Sequence, residues 1–250
     1  MYSMAFPTEC TCPEAPVKYS IVIPTFNERE SLPILVALLW EALEACDFEI
    51  LVVDDNSPDD TRAVCRELMR VFSEIPFTLI MRPGKMGLGS AYKAGLAVTR
   101  GEFIVLMDAD LSHHPQHIPE MILKQQHTGC DVVSGTRYSL GGGVAGWGFK
   151  RILISRVANF GAQLLLRPRG SDLTGSFRLY RADVLKSILP EMCTKGYTFQ
   201  MEILVRATRL GLTIEQVPIV FVDRLYGESK LGGQEFLNYA MGLLQLFWWV

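Results

Sequence analysis

An α/β fold built on an open, mostly parallel sheet is the class this chain predicts, and three observations predict it. Short runs rich in Ile, Val and Phe recur along the first half, segments of helical period separate them, and polar clusters follow them. The runs are Tyr19 to Pro24, Phe48 to Val53, Phe77 to Met81, Phe103 to Met107 and Asp131 to Ser134, apolar as strands buried on both faces are. Between them, Glu30 to Ala45 repeats apolar residues at Leu32, Leu35, Val36, Leu39 and Leu43. Thr61 to Phe72 does the same at Val64, Cys65, Leu68 and Phe72, which is the spacing of one buried helix face. Alternating strands and helices imply parallel strands joined by right-handed crossovers, and ligands of such sheets gather at the carboxyl ends of the strands.

With 250 residues, 49% of them apolar and 20% charged, the chain can bury a full core as one large domain. Met1 to Pro16 carries Pro7, Glu9, Pro13, Glu14 and Pro16 without an apolar core, and reads as a flexible leader, not a targeting peptide. A net charge of −3 excludes a globally basic nucleic-acid binder, so no nucleic-acid partner is expected. Charge is nevertheless lopsided. Arg137, Lys150, Arg151, Arg156, Arg167, Arg169, Arg178 and Arg181 face a single acid, Asp172, in that stretch, which suits an anionic ligand, a membrane surface or a solvated face. The six cysteines lack paired spacing and read as reduced thiols. No apolar stretch reaches the ~18 residues of a membrane span. Leu237 to Val250, ending Leu246-Phe247-Trp248-Trp249-Val250, reads either as a core-packing helix or as one settling at a membrane interface. Gly141 to Gly143, with Gly146 and Gly148, marks a flexible loop.

The most telling segment is Phe103 to Asp110, where an apolar run stops at Asp108 and Asp110. Alternation along a strand lets both carboxylates point the same way. Converging carboxylates repel unless a cation sits between them, and hard oxygen ligands suit Mg²⁺ or Mn²⁺ carried in with a phosphate substrate. Other strand ends add Pro24-Thr25-Phe26-Asn27-Glu28, an aromatic ring beside a carboxylate, and Asp54-Asp55, acceptors for a base edge or ribose. Pro83 to Ser90 looks like a phosphate loop but lacks the Gly-Lys-Ser/Thr close of a Walker A, and reads as a helix N-terminus near a nucleotide. His113, His114 and His117, beside Pro115, take solvated or supporting places.

Six strings together resemble glycosyltransferase family 2 and, within it, the polyprenyl-phosphate mannosyltransferases of the dolichol-phosphate mannose synthase type. They are Val22 to Glu28, Val52 to Asp59, Met107 to His113, Ser134 to Tyr138, Asp172 to Arg178 and Gly227 to Leu231, and the resemblance runs from roughly Tyr19 to Leu243. It implies a GT-A type fold, a Rossmann-like mostly parallel sheet flanked by helices, with a C-terminal amphipathic helix. The division implied is a leader over 1–16 and one domain over 17–250: a nucleotide-sugar half at 17–135, an acceptor half at 136–233 and an interfacial or partner-binding helix at 234–250.

Residue by residue, the resemblance implies that Pro24, Phe26, Glu28, Val53 and Asp55 line a guanosine pocket. Asp108, Ala109 and Asp110 hold the diphosphate and its Mg²⁺ or Mn²⁺, with Ser112 where Gln is common and helps bind metal. Arg137, Arg224 and Lys230 clamp phosphates, and Arg178 belongs to the acceptor region; Asp110, Arg137, Arg224 and Lys230 are the catalytic set. The implied reaction is inverting transfer of mannose from GDP-mannose to dolichyl phosphate, at the cytoplasmic face of the endoplasmic reticulum membrane, with small membrane-anchoring partner subunits. The alternatives are a related transferase using UDP-glucose or another acceptor, and a non-catalytic nucleotide-sugar-binding subunit. Chemically, a phosphate acceptor is mostly dianionic at neutral pH, so it needs no general base. Positioning and neutralisation of the departing diphosphate then suffice. Gln200 and Glu202 lie on a helix where they could meet sugar hydroxyls.

Overall fold

The structure, a computed structural model, describes residues 6–11, 15–194, 198–224 and 241–248. Four of the expected strands, β2 (Tyr19–Thr25), β3 (Phe48–Asp54), β4 (Phe77–Met81) and β5 (Phe103–Leu106), lie parallel in the spatial order β4-β3-β2-β5. Tyr19 stands opposite Phe48 on one side and Phe103 on the other, so the strands start level and their carboxyl ends share one rim.

Alternation along these strands feeds two helical layers. Ile21, Ile23, Ile50 and Val52 pack with α1 (Ser31–Leu43), α2 (Thr61–Val71) and α4 (His117–Thr128) on one face. Val22, Leu51 and Val53 pack with α3 (Leu88–Leu96), α6 (Ala182–Ile188) and α7 (Thr198–Arg209) on the other. α1 buries Leu32, Leu35, Val36, Leu39 and Leu43, the face its period predicts. α3 lies so close to the sheet that a Cβ on Gly95 would sit 2.6 Å from Val22 Cγ1, which is why glycine occupies that turn.

The second half departs from a purely parallel reading. β8 (Arg178–Arg181) inserts antiparallel between β5 and β6 (Val132–Thr136), and β9 (Ile214–Pro218) then pairs parallel with β6. The leader also contributes to the sheet, because β1 (Thr8–Cys10) pairs antiparallel with β4 and covers its edge. Instead of forming a loop throughout, the glycine-rich stretch supplies β7 (Gly143–Ala145), parallel to β10 (Val220–Val222). β10 ends next to the strand-end loop after β5, through a bridge between His113 and Phe221.

α5 (Phe149–Leu166) turns Phe149, Ile154, Val157, Phe160 and Leu164 outward and buries only Asn159, Ala162 and Leu166. Residues 241–248 are helical, with Leu246 in the core and Trp248 exposed; the remainder of the expected terminal helix lies outside the described residues. No helix among the described residues is long and apolar enough to cross a membrane, and the expected peripheral placement at the cytoplasmic face of the endoplasmic reticulum membrane is not carried forward. Cys10, Cys46, Cys65, Cys130 and Cys193 are free thiols. Burial pushes Cys65 up to about 12.

Candidate functional site

The rim formed by the ends of β2 to β5 carries the acids singled out in the sequence. Beyond β5, Leu111 adopts a left-handed φ of 63° and turns the chain back on itself. That turn lets Ser112 donate to Asp110 Oδ1 through its backbone N–H at 3.1 Å and its hydroxyl at 2.5 Å. Asp110 Oδ2 meets Arg224 Nη2 at 2.9 Å. Asp108 accepts the Ser176 hydroxyl at 2.9 Å, and its backbone N–H donates to His113 Nδ1 at 3.2 Å.

His113 is sandwiched by a stack on Phe177 at 4.9 Å and an edge contact with Phe221 at 5.4 Å. Burial pushes its imidazole pKa below the ordinary value against the pull of Asp108 and Asp110, so it stays a neutral acceptor for the Asp108 N–H. Burial likewise pushes the Asp108 carboxyl up; His113 opposes this, the Asp110 charge adds to it, and Ser176 and Arg224 oppose it. A divalent cation beside the two carboxylates would offset the repulsion that Asp110 exerts on Asp108.

The donor set fits Mg²⁺ or Mn²⁺: two hard carboxylates on one loop at the open rim. Among the described residues no group of three or more His, Cys, Asp or Glu could hold a metal. Ser112 is placed as a hydrogen-bond donor to Asp110, with its side chain directed at that carboxylate.

Arg224 pairs with Oδ2 of Asp110, the oxygen that Ser112 does not bond. Arg224→Ala is therefore expected to tighten Mn²⁺ binding by the nucleotide-free protein by about tenfold, equivalent to roughly 1.4 kcal/mol. The same change should weaken nucleotide diphosphate binding, because it removes a cation from beside the phosphates. Electron paramagnetic resonance titration with Mn²⁺ checks the first effect, and unchanged Mn²⁺ affinity would show that the ion pair does not compete.

The residues expected to contact a base lie at the ends of β2 and β3. Phe26 follows β2 with Lys85 Nζ 3.5 Å above its ring centroid. Pro24 pairs in register with Val53. Val53 itself is wholly buried under α3, so its side chain belongs to the core. The Glu28 carboxylate accepts the Ser31 hydroxyl at 2.5 Å, which fixes it at the head of α1. Asp54 and Asp55 part company as strand alternation requires. Asp54 points inward to Arg62 Nε at 2.5 Å, while Asp55 reaches the rim against Arg82 Nη1 at 2.7 Å.

The basic stretch is not one face. Arg137 is buried in a bidentate pair with Asp172 at 2.6 and 2.7 Å, and also donates to Thr174 at 2.7 Å. Arg178 is completely buried between β5 and β6, donating to Gln200 O at 2.6 Å and Leu173 O at 3.2 Å. It ties β8 to α7 and to the loop before β8 from inside. Arg151 lies over Trp147 at 4.0 Å and pairs with Asp223 at 3.0 Å. The expectation that Gln200 and Glu202 meet a sugar is corrected by their burial. Glu202 accepts from Cys193 N, Thr194 N and Arg206 Nε at 2.8 to 2.9 Å, and Gln200 donates to the Tyr92 hydroxyl at 3.3 Å. Lys230 and the Gly227 to Leu231 string lie outside the described residues. Sequence reasoning missed Ser176, Asp172 and Arg82 as partners of the rim groups; Ser176 and Asp172 stood inside a quoted string, but nothing marked what they touch.

Comparison with known proteins bears on this geometry. Residues 20–189 match the glycosyl transferase family 2 profile. A polyprenol monophosphomannose synthase of Mycolicibacterium smegmatis is 39% identical over 85% of this chain and 80% of its own length. A dolichol-phosphate mannosyltransferase of Pyrococcus furiosus is 38% identical over 93% of this chain, which spans 64% of that protein. Among solved structures, glucosyl-3-phosphoglycerate synthase of Mycobacterium tuberculosis, with Mn²⁺, UDP and glucosyl-3-phosphoglycerate, superposes with a TM-score of 0.66 at 20% identity, covering 92% of this chain and 78% of that one. The same enzyme with Mn²⁺, UDP-glucose and phosphoglyceric acid gives 0.64 at 19%, covering 92% and 80%.

The GT-A type sheet expected from the sequence agrees with this likeness, as does the expectation of Mg²⁺ or Mn²⁺, both of which such structures contain. The narrower expectation does not stand. The same fold holds UDP-glucose and phosphoglyceric acid, so it selects neither GDP-mannose as donor nor dolichyl phosphate as acceptor, and it brings no membrane partner subunits. The assignment to the dolichol-phosphate mannose synthase type is withdrawn with them. What the family match over 20–189 and the identity to a relative across most of both chains do establish is that this chain belongs to glycosyl transferase family 2.

Proposed function

We propose that the protein transfers a glycosyl group from a nucleoside diphosphate sugar to a phosphate-bearing acceptor, with a divalent cation required. The observation that carries this reading is the pair Asp108 and Asp110 at the end of β5, with Arg224 on Oδ2 of Asp110. UDP-glucose, Mn²⁺ and phosphoglyceric acid in the fold neighbours support it, as does the phosphate in the product named for the mycolicibacterial relative.

Asp108 and Asp110 would hold the cation, which neutralises charge building on the departing diphosphate. Ser176 and Ser112 hold the two carboxylates in place, and His113 fixes the backbone where the chain enters Asp108. Phe26 offers the base a stacking face, and Arg224 adds positive charge beside the phosphates. Arg137 takes part through position: its charge is matched by Asp172, and it holds the strand end of β6 against the loop before β8.

The reading is tested by incubating purified protein with radiolabelled UDP- and GDP-sugars, UDP-glucose first, against 3-phosphoglycerate and a short polyprenyl phosphate, with Mn²⁺ or with chelator. Label in one acceptor only when metal is present is the expected result. Label that resists chelation, or none with any pair, would overturn the assignment.

A further inference from the structure

We propose that Arg82 decides which bases the donor pocket admits, by holding Asp55 as an ionised acceptor; this rests on the reading of Asp55 as a base-contacting residue. Arg82 follows β4 directly, and its side chain is 0% exposed, whereas that of Asp55 keeps 13% exposure at the rim. Nη1 stands 2.7 Å from Asp55 Oδ1, and Nη2 donates to the Ser90 hydroxyl at 2.5 Å at the start of α3. The Arg82 backbone is also fixed: its N–H donates to Asp54 O at 2.9 Å, and its carbonyl accepts Arg62 Nη2 at 2.7 Å.

Nε and Nη1 of Arg82 are buried without a hydrogen bond of good geometry, and so is Asp55 Oδ1. A guanidinium out of water with so few bonds is tolerable only against a full negative charge. Arg82 is thus retained for its charge on Asp55. An ionised carboxylate can only accept hydrogen bonds. Uracil and guanine present a ring N–H on the edge that such a group would meet, whereas cytosine and adenine present a ring lone pair there. Two acceptors facing one another repel, so the pair admits the first two bases and rejects the others.

The groups facing Asp55 set the sign of the pH effect. Burial pushes its carboxyl up, Arg82 opposes that, Asp54 at the end of β3 adds to it, and Lys85 of the β4–α3 loop opposes it. Without Arg82 the carboxyl therefore takes up a proton at higher pH than in the intact protein. A protonated Asp55 carries an O–H donor and serves cytosine or adenine.

Calorimetric titration with UDP, GDP, CDP and ADP, each with Mn²⁺, reads this directly. The intact protein should bind UDP or GDP at least about 100-fold more tightly than CDP and ADP, because a mispaired polar edge in a built site is costly. In Arg82→Met that ratio should fall below about tenfold. The loss of UDP or GDP binding on acidification should also begin at higher pH. If Arg82 acts on base choice through Asp55, Arg82→Met leaves the discrimination among the four nucleotides unchanged in an Asp55→Asn background. That pair of variants also carries the test if Arg82→Met alone does not fold, since the double change removes both charges. Unchanged discrimination in Arg82→Met, a uniform loss for all four nucleotides, or additive effects in the double variant would overturn the role of Arg82 and leave the transferase reading standing. Failure of the intact protein to bind any of the four would overturn both.

Discussion

Asp110→Asn is expected to lower metal-dependent glycosyl transfer by roughly 10³-fold or more while the fold survives. The amide keeps the shape of the side chain and can still accept from Ser112, whose two bonds hold the turn at Leu111. What it loses is one of only two carboxylates on the metal loop and the charge that faces Arg224. The readout is the rate of label transfer at saturating donor, together with Mn²⁺ affinity, which should fall in parallel. The melting temperature should move little, because the amide keeps the Ser112 bonds and Arg224, its former partner, is partly exposed to water. Normal turnover in this variant would remove the metal from that loop.

The second large effect lies in stability. Asp172→Asn should cost about 3–5 kcal/mol, the range for breaking one half of a buried ion pair, because Arg137 is left charged and buried. For a chain of this size that corresponds to a fall of roughly 6 to 20 °C in melting temperature. Burial would raise the Asp172 carboxyl, but the charge and hydrogen bonds of Arg137 outweigh it, with help from Arg178, and hold it below the ordinary carboxylate range. A depressed folded value gives stability that is present above the unfolded pKa of about 3.9 and is lost as pH falls through the folded value. The gap between intact protein and variant should therefore stay level from neutral pH down to about 5 and close below about 4. Chemical denaturation at several pH values checks it, and a gap that persists to strongly acid pH would assign the stability to packing.

The parts legible in the sequence were those whose signal is local. β2, β3, β4 and β5 are buried on both faces, so each announces itself as an unbroken apolar run, and the acids that follow them mark the rim. β8 gives no such signal: Arg178-Leu179-Tyr180-Arg181 begins with a charged residue that is buried only because carbonyls of Leu173 and Gln200 receive it. β1 was hidden because strand pairing in a Pro- and Glu-bearing leader depends on an edge the leader cannot itself display. In the site, the positions of Asp55, Asp108 and Asp110 were readable, but their partners were not. Ser176 lies 68 residues from Asp108, and only β8 brings it back. Arg137 and Arg178 looked like ligands for anions because composition counts charges without showing which are already matched. Donor and acceptor identity failed for a related reason, since the base edge, sugar and acceptor are read by a few angles at the rim, and strings of residues fix the rim alone.

The antiparallel strand at the centre of the sheet sets the order in which the chain can assemble. Residues up to Leu106 already contain five strands adjacent in the sheet, β1 to β5, with crossovers short enough to close early. β6 comes next along the chain but pairs only with β8 and β9, both of which lie further on. During synthesis, therefore, the early strands can condense while β5 keeps an open edge until Arg178–Arg181 emerges and docks. Seating of that strand supplies Ser176 to Asp108, so the surroundings of that carboxylate are completed in one late step, well after β2 to β5 have paired.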